Sequence, residues 1–317
     1  MRIVTLAELR KVMDREAVLA AIRQAYIGHA HQRYVTPMPG QLLFDEPPGD
    51  CHIKYGYSNV GAVFVIKIAT GFYGNAKLGL PVNNGMVLVL SRTTGEPVAI
   101  FQDEGWLTSW RTAAAGTLAA SLAATRNPKV LGVFGAGHQA ELQITWITRT
   151  MGIHEVRIWA READVDQAEH LAGKFCGLGL VAKVCRSAGE VLEEARLVVT
   201  ATPSHTPLFP AHEVRPGTHI VALGADSPGK QELDPALFGR ASCIATDDHE
   251  QCLDHGDLSH AVKAGIIPAD ADQSLGILLE NPALLTLTGE DISIVDLTGI
   301  PAQDIENAAL FCRLLGL

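Results

Sequence analysis

One stretch near the middle of the chain reads Val130-Leu131-Gly132-Val133-Phe134-Gly135-Ala136-Gly137-His138-Gln139-Ala140. It predicts a short apolar strand, a tight glycine turn and the start of a helix. Gly135, Gly137 and Ala140 have the spacing of a dinucleotide-binding fingerprint. The first position permits the turn, the second lets the backbone approach a pyrophosphate, and the third lets the helix pack on its strand. We therefore expect the start of the helix to receive phosphates; the alternative is a structural glycine turn.

Strands and helices alternate from this stretch onward. The predicted strands are 130–134, 155–159, 181–184, 197–201, 219–223, 242–246 and 292–296. The predicted helices are 138–151, 164–175, 188–195, 234–239 and 250–264. This order predicts an α/β fold with a doubly wound parallel sheet of the Rossmann type.

The first part of the chain has a different pattern. Helical spacing covers 6–13 and 15–30, a loop is expected at 36–40, and strands are expected at 52–57, 62–69, 85–90 and 96–101. Glycine and asparagine turns between these strands favour an antiparallel meander. A long alanine-rich helix is expected at 107–125, and a final amphipathic helix at 302–315 should return to the first domain. The predicted domains are an α+β domain of residues 1–122 and 299–317, and a Rossmann domain of residues 123–298.

Composition limits the classes of partner. The chain has 317 residues, 47% hydrophobic and 19% charged, which suits a globular protein of two domains. A net charge of −10 argues against nucleic acid and anionic membranes as partners. The N-terminus has no signal-peptide core, and no apolar run is long enough to span a membrane. Six scattered cysteines suit reduced thiols, so we expect a cytoplasmic protein.

Residues 104–114 read Glu-Gly-Trp-Leu-Thr-Ser-Trp-Arg-Thr-Ala-Ala, and this run resembles a helix of the ornithine cyclodeaminase/mu-crystallin family. Four further stretches occur in the order of that family: Val65-Ile66-Lys67-Ile68, the fingerprint with Gln139-Ala140, the segment 224–233, and Thr298-Gly299 ahead of Asp304. The resemblance covers nearly the whole chain. Residues 67–115 are most similar to the members found with ectoine utilisation.

The resemblance implies an N-terminal domain that carries the substrate and forms a homodimer through its strands, and a Rossmann domain that holds NAD(H) or NADP(H). It implies an NAD(P)H-dependent oxidoreductase acting on the C–N bond of a small 2-imino or 2-amino acid, as a ketimine reductase or an L-amino acid dehydrogenase. One alternative is an ornithine- or lysine-type cyclodeaminase that uses tightly bound NAD⁺ and releases ammonia. The other is a non-catalytic, NADP-dependent binding protein for a small ligand.

Three residues are candidates for the chemistry. Lys67 lies in an apolar strand, where a lysine is costly without a partner; it matches the catalytic lysine of the family, whereas an edge-strand lysine reaching water is the structural alternative. Arg111 has a planar fork suited to a carboxylate. Asp226 follows a predicted parallel strand, where a partly desolvated carboxylate could exchange a proton with the substrate nitrogen. Helix capping is the alternative for Asp226.

Lys54 departs from the family pattern. It stands thirteen residues before Lys67, where cyclodeaminases place an acidic residue that receives the side-chain ammonium of the substrate. A lysine would repel that ammonium. The carboxylate-binding arginine of the family is also absent after the loop at 37–39, where Gln41 stands. We therefore expect Lys54 to supply this cation near Gln41, and a substrate without a distal cation, with a second acidic group allowed.

The choice of cofactor depends on the end of the second parallel strand. Trp159 and the next residue offer no ribose-binding acid, and Arg161 could pair with a 2′-phosphate, which favours NADP(H); Glu162 beside it opposes this. Thr112 is expected to bind a cofactor phosphate. The resemblance implies further cofactor contacts by Ala136, His138, Gln139, Thr202, Pro203, Leu223, Gly224, Thr298 and Gly299.

No metal site is expected. His249, His255 and His260 have no standard zinc or calcium spacing. Together with Asp247, Asp248, Asp254 and Asp257, they are interpreted as the solvated polar face of an exposed helix.

Overall fold

The structure is a computed structural model that describes residues 1–317 apart from the side chains of Tyr73 and Ala76. Its contacts divide the chain into two units, one of Met1–Ala114 and Ile300–Leu317 and one of Ala115–Gly299. This division falls within the helix Trp106–Ser121, whereas the sequence-based boundary after residue 122 lies just past that helix. The domain boundaries predicted from the sequence remain a prediction.

The first unit is built on a seven-stranded sheet. In chain order its elements are β1 (Arg2–Thr5), α1 (Leu6–Val12), α2 (Arg15–Ala30), β2 (Tyr34–Val35), β3 (Gly40–Phe44), β4 (Gly49–Ser58), β5 (Val63–Gly71), β6 (Asn83–Ser91), β7 (Pro97–Gln102) and the start of α3 (Trp106–Ser121). Strands β4 to β7 form an antiparallel meander, as the sequence predicts. The prediction omits β1, which is parallel to β7, and β2 and β3, which both pair with β4.

Acidic side chains fix the starts of α2 and α3 in this unit. Asp14 accepts hydrogen bonds from the N–H groups of Glu16 and Ala17 and so starts α2. Asp103 Oδ2 accepts a hydrogen bond of 2.9 Å from the N–H of Leu107 in the first turn of α3. A buried carboxylate therefore fixes the start of the helix that carries Arg111.

The second unit is built on an eight-stranded parallel sheet. Its elements are β8 (Val130–Phe134), α4 (His138–Met151), β9 (Glu155–Trp159), α5 (Val165–Gly177), β10 (Val181–Val184), α6 (Ala188–Glu194), β11 (Leu197–Thr200), β12 (His219–Ala222), α7 (Pro235–Phe238), β13 (Ala241–Thr246), α8 (His249–His255), α9 (Asp257–Lys263), β14 (Gln273–Ser274), α10 (Leu275–Glu280) and β15 (Ile292–Asp296). The strand order β10-β9-β8-β11-β12-β15-β13-β14 is doubly wound, as predicted. Short 3₁₀ turns occur in both units. The first unit has one at Tyr73–Leu78, and the second unit has four, at Ala124–Arg126, Glu162–Asp164, Ala211–Glu213 and Pro282–Leu284.

Two parts of the second unit differ from the prediction. The helix expected at 250–264 is two helices, because the backbone is extended at Gly256 (φ −78°, ψ 171°), between α8 and α9. The short elements β14 and α10 were not predicted.

The last helix, α11 (Pro301–Leu315), lies in the first unit and packs on α2, β4 and β5. Its buried face includes the polar residues Gln303, Asp304 and Asn307. Among the described residues no helix has the length and apolar character needed to cross a membrane. All six cysteines are free.

Candidate active site

The turn after β8 has the form that a pyrophosphate requires. Gly135 has φ +119°, and a Cβ there would lie 2.7 Å from the carbonyl oxygen of Ala201. Gly137 has open space where a Cβ would stand, and α4 begins directly after it without a side-chain cap. The first N–H groups of α4, in the run His138–Ala140, therefore meet no capping side chain at Gly137, which suits an anion.

A cavity of about 480 Å³ lies beside this turn and is lined by Ala136–His138 together with Glu141, Asp166 and His170. The turn residues of the fingerprint thus border a space that could take part of a nucleotide. Two of the lining side chains are carboxylates, a feature that opposes a nearby phosphate.

Trp159 and Arg161, which are expected to decide between NAD(H) and NADP(H), both contact other side chains of the protein. Trp159 packs on Phe134, with ring centroids 5.6 Å apart. Arg161 donates hydrogen bonds to Asp164 Oδ2 from Nε (3.0 Å) and from Nη2 (2.9 Å). A 2′-phosphate would therefore have to compete with Asp164 for this guanidinium.

Buried carboxylates hold the loops after the parallel strands. Glu232 accepts hydrogen bonds from the backbone N–H groups of Thr202 (2.6 Å) and Gly224 (2.7 Å). Asp247 accepts hydrogen bonds from the N–H groups of Thr298 (3.1 Å) and Gly299 (2.6 Å). The sequence analysis gave neither acid a role, although Glu232 lies within one of the stretches that carry the resemblance.

Asp226 lies in a turn four residues beyond the end of β12. Its side chain is 51% exposed and pairs with Lys230 Nζ at 2.6 Å. The Asp226 carboxylate is thus about half exposed in this structure, and its desolvation beside a nicotinamide stays a prediction. The helix-capping alternative does not apply, since Asp226 caps no helix among the described residues.

In the first unit, three cationic side chains surround one carboxylate. Lys54 and Lys67 are directly opposite each other in the pairing of β4 with β5, and both are buried. Lys67 Nζ lies 3.1 and 3.0 Å from the two oxygens of Asp304. Arg111 Nε lies 3.3 Å from Asp304 Oδ1. Because β5 is an interior strand, between β4 and β6, the alternative of an edge-strand lysine is wrong.

Burial and mutual repulsion set the charges of this group. Burial lowers the pKa of Lys67 to about 7, because the attraction of Asp304 only partly offsets burial and the repulsion by Arg111 and Lys54. Burial acts to raise the pKa of Asp304, but Lys67, Arg111 and Lys54 outweigh it and hold that pKa below its usual range. Three cationic side chains thus act on the carboxylate of Asp304, and such a cluster of cations is suited to a further anion.

Helix α11 positions these cations. Gln303 Oε1 accepts a hydrogen bond of 2.8 Å from Arg111 Nη1, and Gln303 Nε2 donates one of 2.8 Å to the hydroxyl of Tyr26. Asp304, in the next position, supplies the carboxylate. The sequence analysis missed both roles; an acid on the buried side of an amphipathic helix was the signal that could have indicated one.

Two other predicted residues lie in the first unit. Gln41 is exposed on β3, opposite His52 of β4, on the sheet face that also carries Lys54. Thr112 donates its hydroxyl hydrogen bond to the carbonyl oxygen of Thr108 one turn earlier (2.9 Å).

The acids near His249 and His255 are a further correction. Asp247 and Asp257 are buried and accept backbone hydrogen bonds, so they do not belong to a solvated helix face. Among the described residues no group of His, Cys, Asp and Glu is arranged to hold a metal ion.

A family model of the ornithine cyclodeaminase/mu-crystallin family matches residues 11–312. The chain belongs to this family. It is 38% identical to a putative dehydrogenase of Rhizobium meliloti, over 98% of this chain and 94% of that protein. It is 30% identical to the iminosuccinate reductase of Paracoccus denitrificans, over 99% of this chain and 96% of that protein. Among solved structures, an archaeal alanine dehydrogenase dimer with bound NAD has a TM-score of 0.89 and 30% identity, covering 100% of this chain and 96% of that one.

Proposed function

We propose that this member of the ornithine cyclodeaminase/mu-crystallin family is an NAD(P)H-dependent reductase of small 2-imino acids, working in reverse as an amino acid dehydrogenase. The observation that carries the proposal is the buried group of Lys54, Lys67 and Arg111 around Asp304. Its positive charge suits the carboxylate of an imino acid. The related alanine dehydrogenase and iminosuccinate reductase support the same class of reaction.

Different side chains bind the substrate, transfer protons and hold the nucleotide. Arg111, with its guanidinium fixed by Gln303 and Asp304, and Lys67 bind the substrate carboxylate. Lys67, with a pKa of about 7, can also hold or release a proton at Nζ. Residues of the Gly135 turn and of the loops after β11, β12 and β15 would hold the dinucleotide, which supplies the hydride. Asp226 remains the predicted proton carrier for the substrate nitrogen.

Lys54 limits the substrate side chain. Its ammonium repels a distal amino group and attracts a second carboxylate, so we propose a 2-imino acid with an apolar or acidic side chain. This disfavours the cyclodeaminase alternative, which needs a diamino acid. Replacing Lys54 by Glu should move activity toward ornithine or lysine.

We propose NAD(H) as the cofactor, whereas the sequence analysis favoured NADP(H). Arg161 donates two hydrogen bonds to Asp164, so the guanidinium that would bind a 2′-phosphate already has an anionic partner. Asp164→Asn should free the guanidinium and raise the affinity for NADPH relative to NADH. Unchanged relative affinities would remove Arg161 from the choice of cofactor.

We also propose a homodimer formed by the sheet of the first unit. The face that carries Tyr55, Ile66, Leu88 and Ile100 in one row across β4 to β7 is apolar and at least partly exposed. Met86→Lys on this face should yield a monomer in analytical ultracentrifugation, whereas Val60→Lys in an exposed loop should not. A monomeric wild-type protein would contradict the proposal.

The decisive experiment is a screen of 2-oxo acids with ammonia or methylamine, and of cyclic imines, in which NADH and NADPH oxidation are followed separately. Turnover of a 2-imino acid is the expected result. Ammonia release from ornithine or lysine without net change in NAD(P)H would establish the cyclodeaminase instead. Nucleotide binding without any turnover would indicate the binding protein.

Asp226→Asn tests the assigned proton carrier. It should lower kcat by about a hundredfold or more with NADH affinity unchanged, since general acid–base groups contribute on that order. Near-normal turnover would remove Asp226 from the mechanism.

A further inference from the structure

Glu232 joins two loops that follow neighbouring strands of the parallel sheet. Its Oε1 accepts hydrogen bonds from the backbone N–H (2.6 Å) and the hydroxyl (2.7 Å) of Thr202, after β11. Its Oε2 accepts hydrogen bonds from the backbone N–H of Gly224 (2.7 Å), after β12, and from the hydroxyl of Thr200 (2.6 Å). A Cβ at Gly224 would lie 2.6 Å from Oε1, so glycine is needed for this close approach.

We propose that Glu232 is a positioning residue for the dinucleotide, because its carboxylate holds the loops of Thr202 and Gly224 in the arrangement that receives the nucleotide. The inference rests on the proposed function. It concerns how the nucleotide site is held and adds no group to the reaction itself.

Only an ionised carboxylate satisfies all four donors. Each oxygen receives one backbone N–H, and a backbone N–H cannot reverse its role. An amide would place an NH₂ group against one of these N–H groups, and a neutral acid would make one oxygen a hydroxyl and a poor acceptor. In either case one loop loses its hydrogen bond to residue 232 while the site stays buried, which is costly.

The surroundings of Glu232 oppose its ionisation. It is fully buried, and its own N–H donates to Asp257 Oδ1 (2.8 Å) at the start of α9. The charged groups that face it are Asp257 and, from the end of β15, Asp296; both are acids. Burial, and then the charge of Asp257, raise the pKa of Glu232 to about 7, although Thr200 and Thr202 donate to it. Nucleotide affinity should therefore fall as the pH drops through about 7.

The first test compares Glu232→Gln with Glu213→Gln, an exposed acid in the same unit. NADH and NADPH are titrated separately without any amino or imino acid, from about pH 6 to about pH 8. Glu232→Gln should raise the Kd of the preferred nucleotide about tenfold at the upper pH and abolish its pH dependence, while kcat at saturating nucleotide changes little. Amide exchange at Thr202 and Gly224 should also speed up in the nucleotide-free variant. Glu213→Gln should match the wild type.

The second test leaves Glu232 in place and serves if the glutamine variant does not fold. Thr200→Val removes one donor to the carboxylate, whereas Thr200→Ser keeps it. Because loss of a donor disfavours the ionised form, Thr200→Val should shift the pH midpoint of nucleotide affinity upward and Thr200→Ser should not.

Equal midpoints in the two Thr200 variants, or wild-type affinity and pH dependence in Glu232→Gln, would overturn the positioning role. These readouts need no turnover. A protein inert toward every imino acid that still shows the affinity changes contradicts the proposed function alone. A wild type that binds neither nucleotide contradicts both.

Discussion

The two units bury charge in opposite ways. In the first unit, the cationic side chains of Lys67 and Arg111 pair with the carboxylate of Asp304, on which Lys54 also acts. In the second unit, the buried acids Glu232, Asp247, Asp257 and Asp296 are stabilised by backbone N–H groups of neighbouring segments. Cationic side chains thus cluster around an ion pair in the first unit, whereas buried acids in the second unit hold loops through hydrogen bonds.

This difference indicates which charges meet the substrate. A surplus of cations is costly when buried and becomes favourable when an anion enters. Carboxylates that accept backbone hydrogen bonds have their partners already, so they position the chain. We therefore expect substitutions in the first group to affect stability and substrate binding together, and conservative substitutions among the acids to be tolerated where the backbone keeps an acceptor.

The largest effect is expected for Asp304→Asn. Removing this carboxylate leaves the buried Lys67 and Arg111 without their ion partner, at a cost of about 3–5 kcal/mol in the free energy of unfolding. Urea denaturation measures this, and imine reduction should be lost as well. The double variant Lys67→Met/Asp304→Leu removes the lysine of the pair as well and should recover part of the stability without activity. A wild-type denaturation midpoint for Asp304→Asn would contradict the view that the ion pair is needed.

A smaller effect is expected for Lys54→Met. Loss of one charge-assisted contact costs about 1.5–3 kcal/mol of binding free energy. The KM for the imino acid should therefore rise roughly ten- to a hundredfold, with little change in the KM for the nucleotide. The pKa of Lys67 should rise, because a repelling neighbour is gone. Steady-state kinetics over pH measure both, with Lys183→Met on exposed β10 as the control. An unchanged KM would place Lys54 outside the substrate site.

For Asp257→Asn we expect the free energy of unfolding to stay the same or to rise. Asp257 Oδ1 accepts hydrogen bonds from the N–H groups of Glu232 and Leu233, while Oδ2 has no hydrogen-bond partner among the described residues and repels Asp296. Asparagine keeps the acceptor and removes the repulsion, so stability at pH 8 should be unchanged or rise by about 1 kcal/mol. Asp257→Ala leaves two N–H groups unpaired and should cost about 1–3 kcal/mol. Equal losses in the two variants would contradict this account.

A last prediction concerns the dependence of stability on pH. Burial raises the pKa of Glu232 from 4.5 to about 7 and that of Asp257 from 3.8 to about 6. The folded state therefore binds more protons than the unfolded state between about pH 4 and 7, and the contribution of these acids to stability falls as the pH rises through that range. Asp257→Asn should make this fall shallower in urea denaturation at several pH values. A slope equal to that of the wild type would indicate that Asp257 does not titrate there.

Local patterns were enough to predict the parallel sheet. The bounds of β8, β9, β10 and β15 agree with the prediction to the residue, because each is an apolar or alternating run bounded by turn residues. Strand β3 was missed because Gly40–Phe44 follows two prolines and is exposed along most of its length, so no alternation indicates it.

Side-chain partners could not be predicted in this way. Lys67 and Asp304 are 237 residues apart, and only the packing of α11 on β5 brings them together. Asp257 was interpreted as solvated because nothing local indicates that backbone N–H groups of a distant loop cover it. Asp226 was correctly placed after a strand, but the length of the turn beyond it decides its exposure. The catalytic and cofactor roles assigned from the sequence remain predictions.

The register of β4 against β5 has a consequence for how the family could diversify. Lys54 faces Lys67 across a single pair of strands, so a change of charge at position 54 would act directly beside Lys67. The lysine codons AAA and AAG become the glutamate codons GAA and GAG through one base. Under the proposed function, a single point mutation would therefore separate a pocket that binds acidic side chains from one that binds a second ammonium.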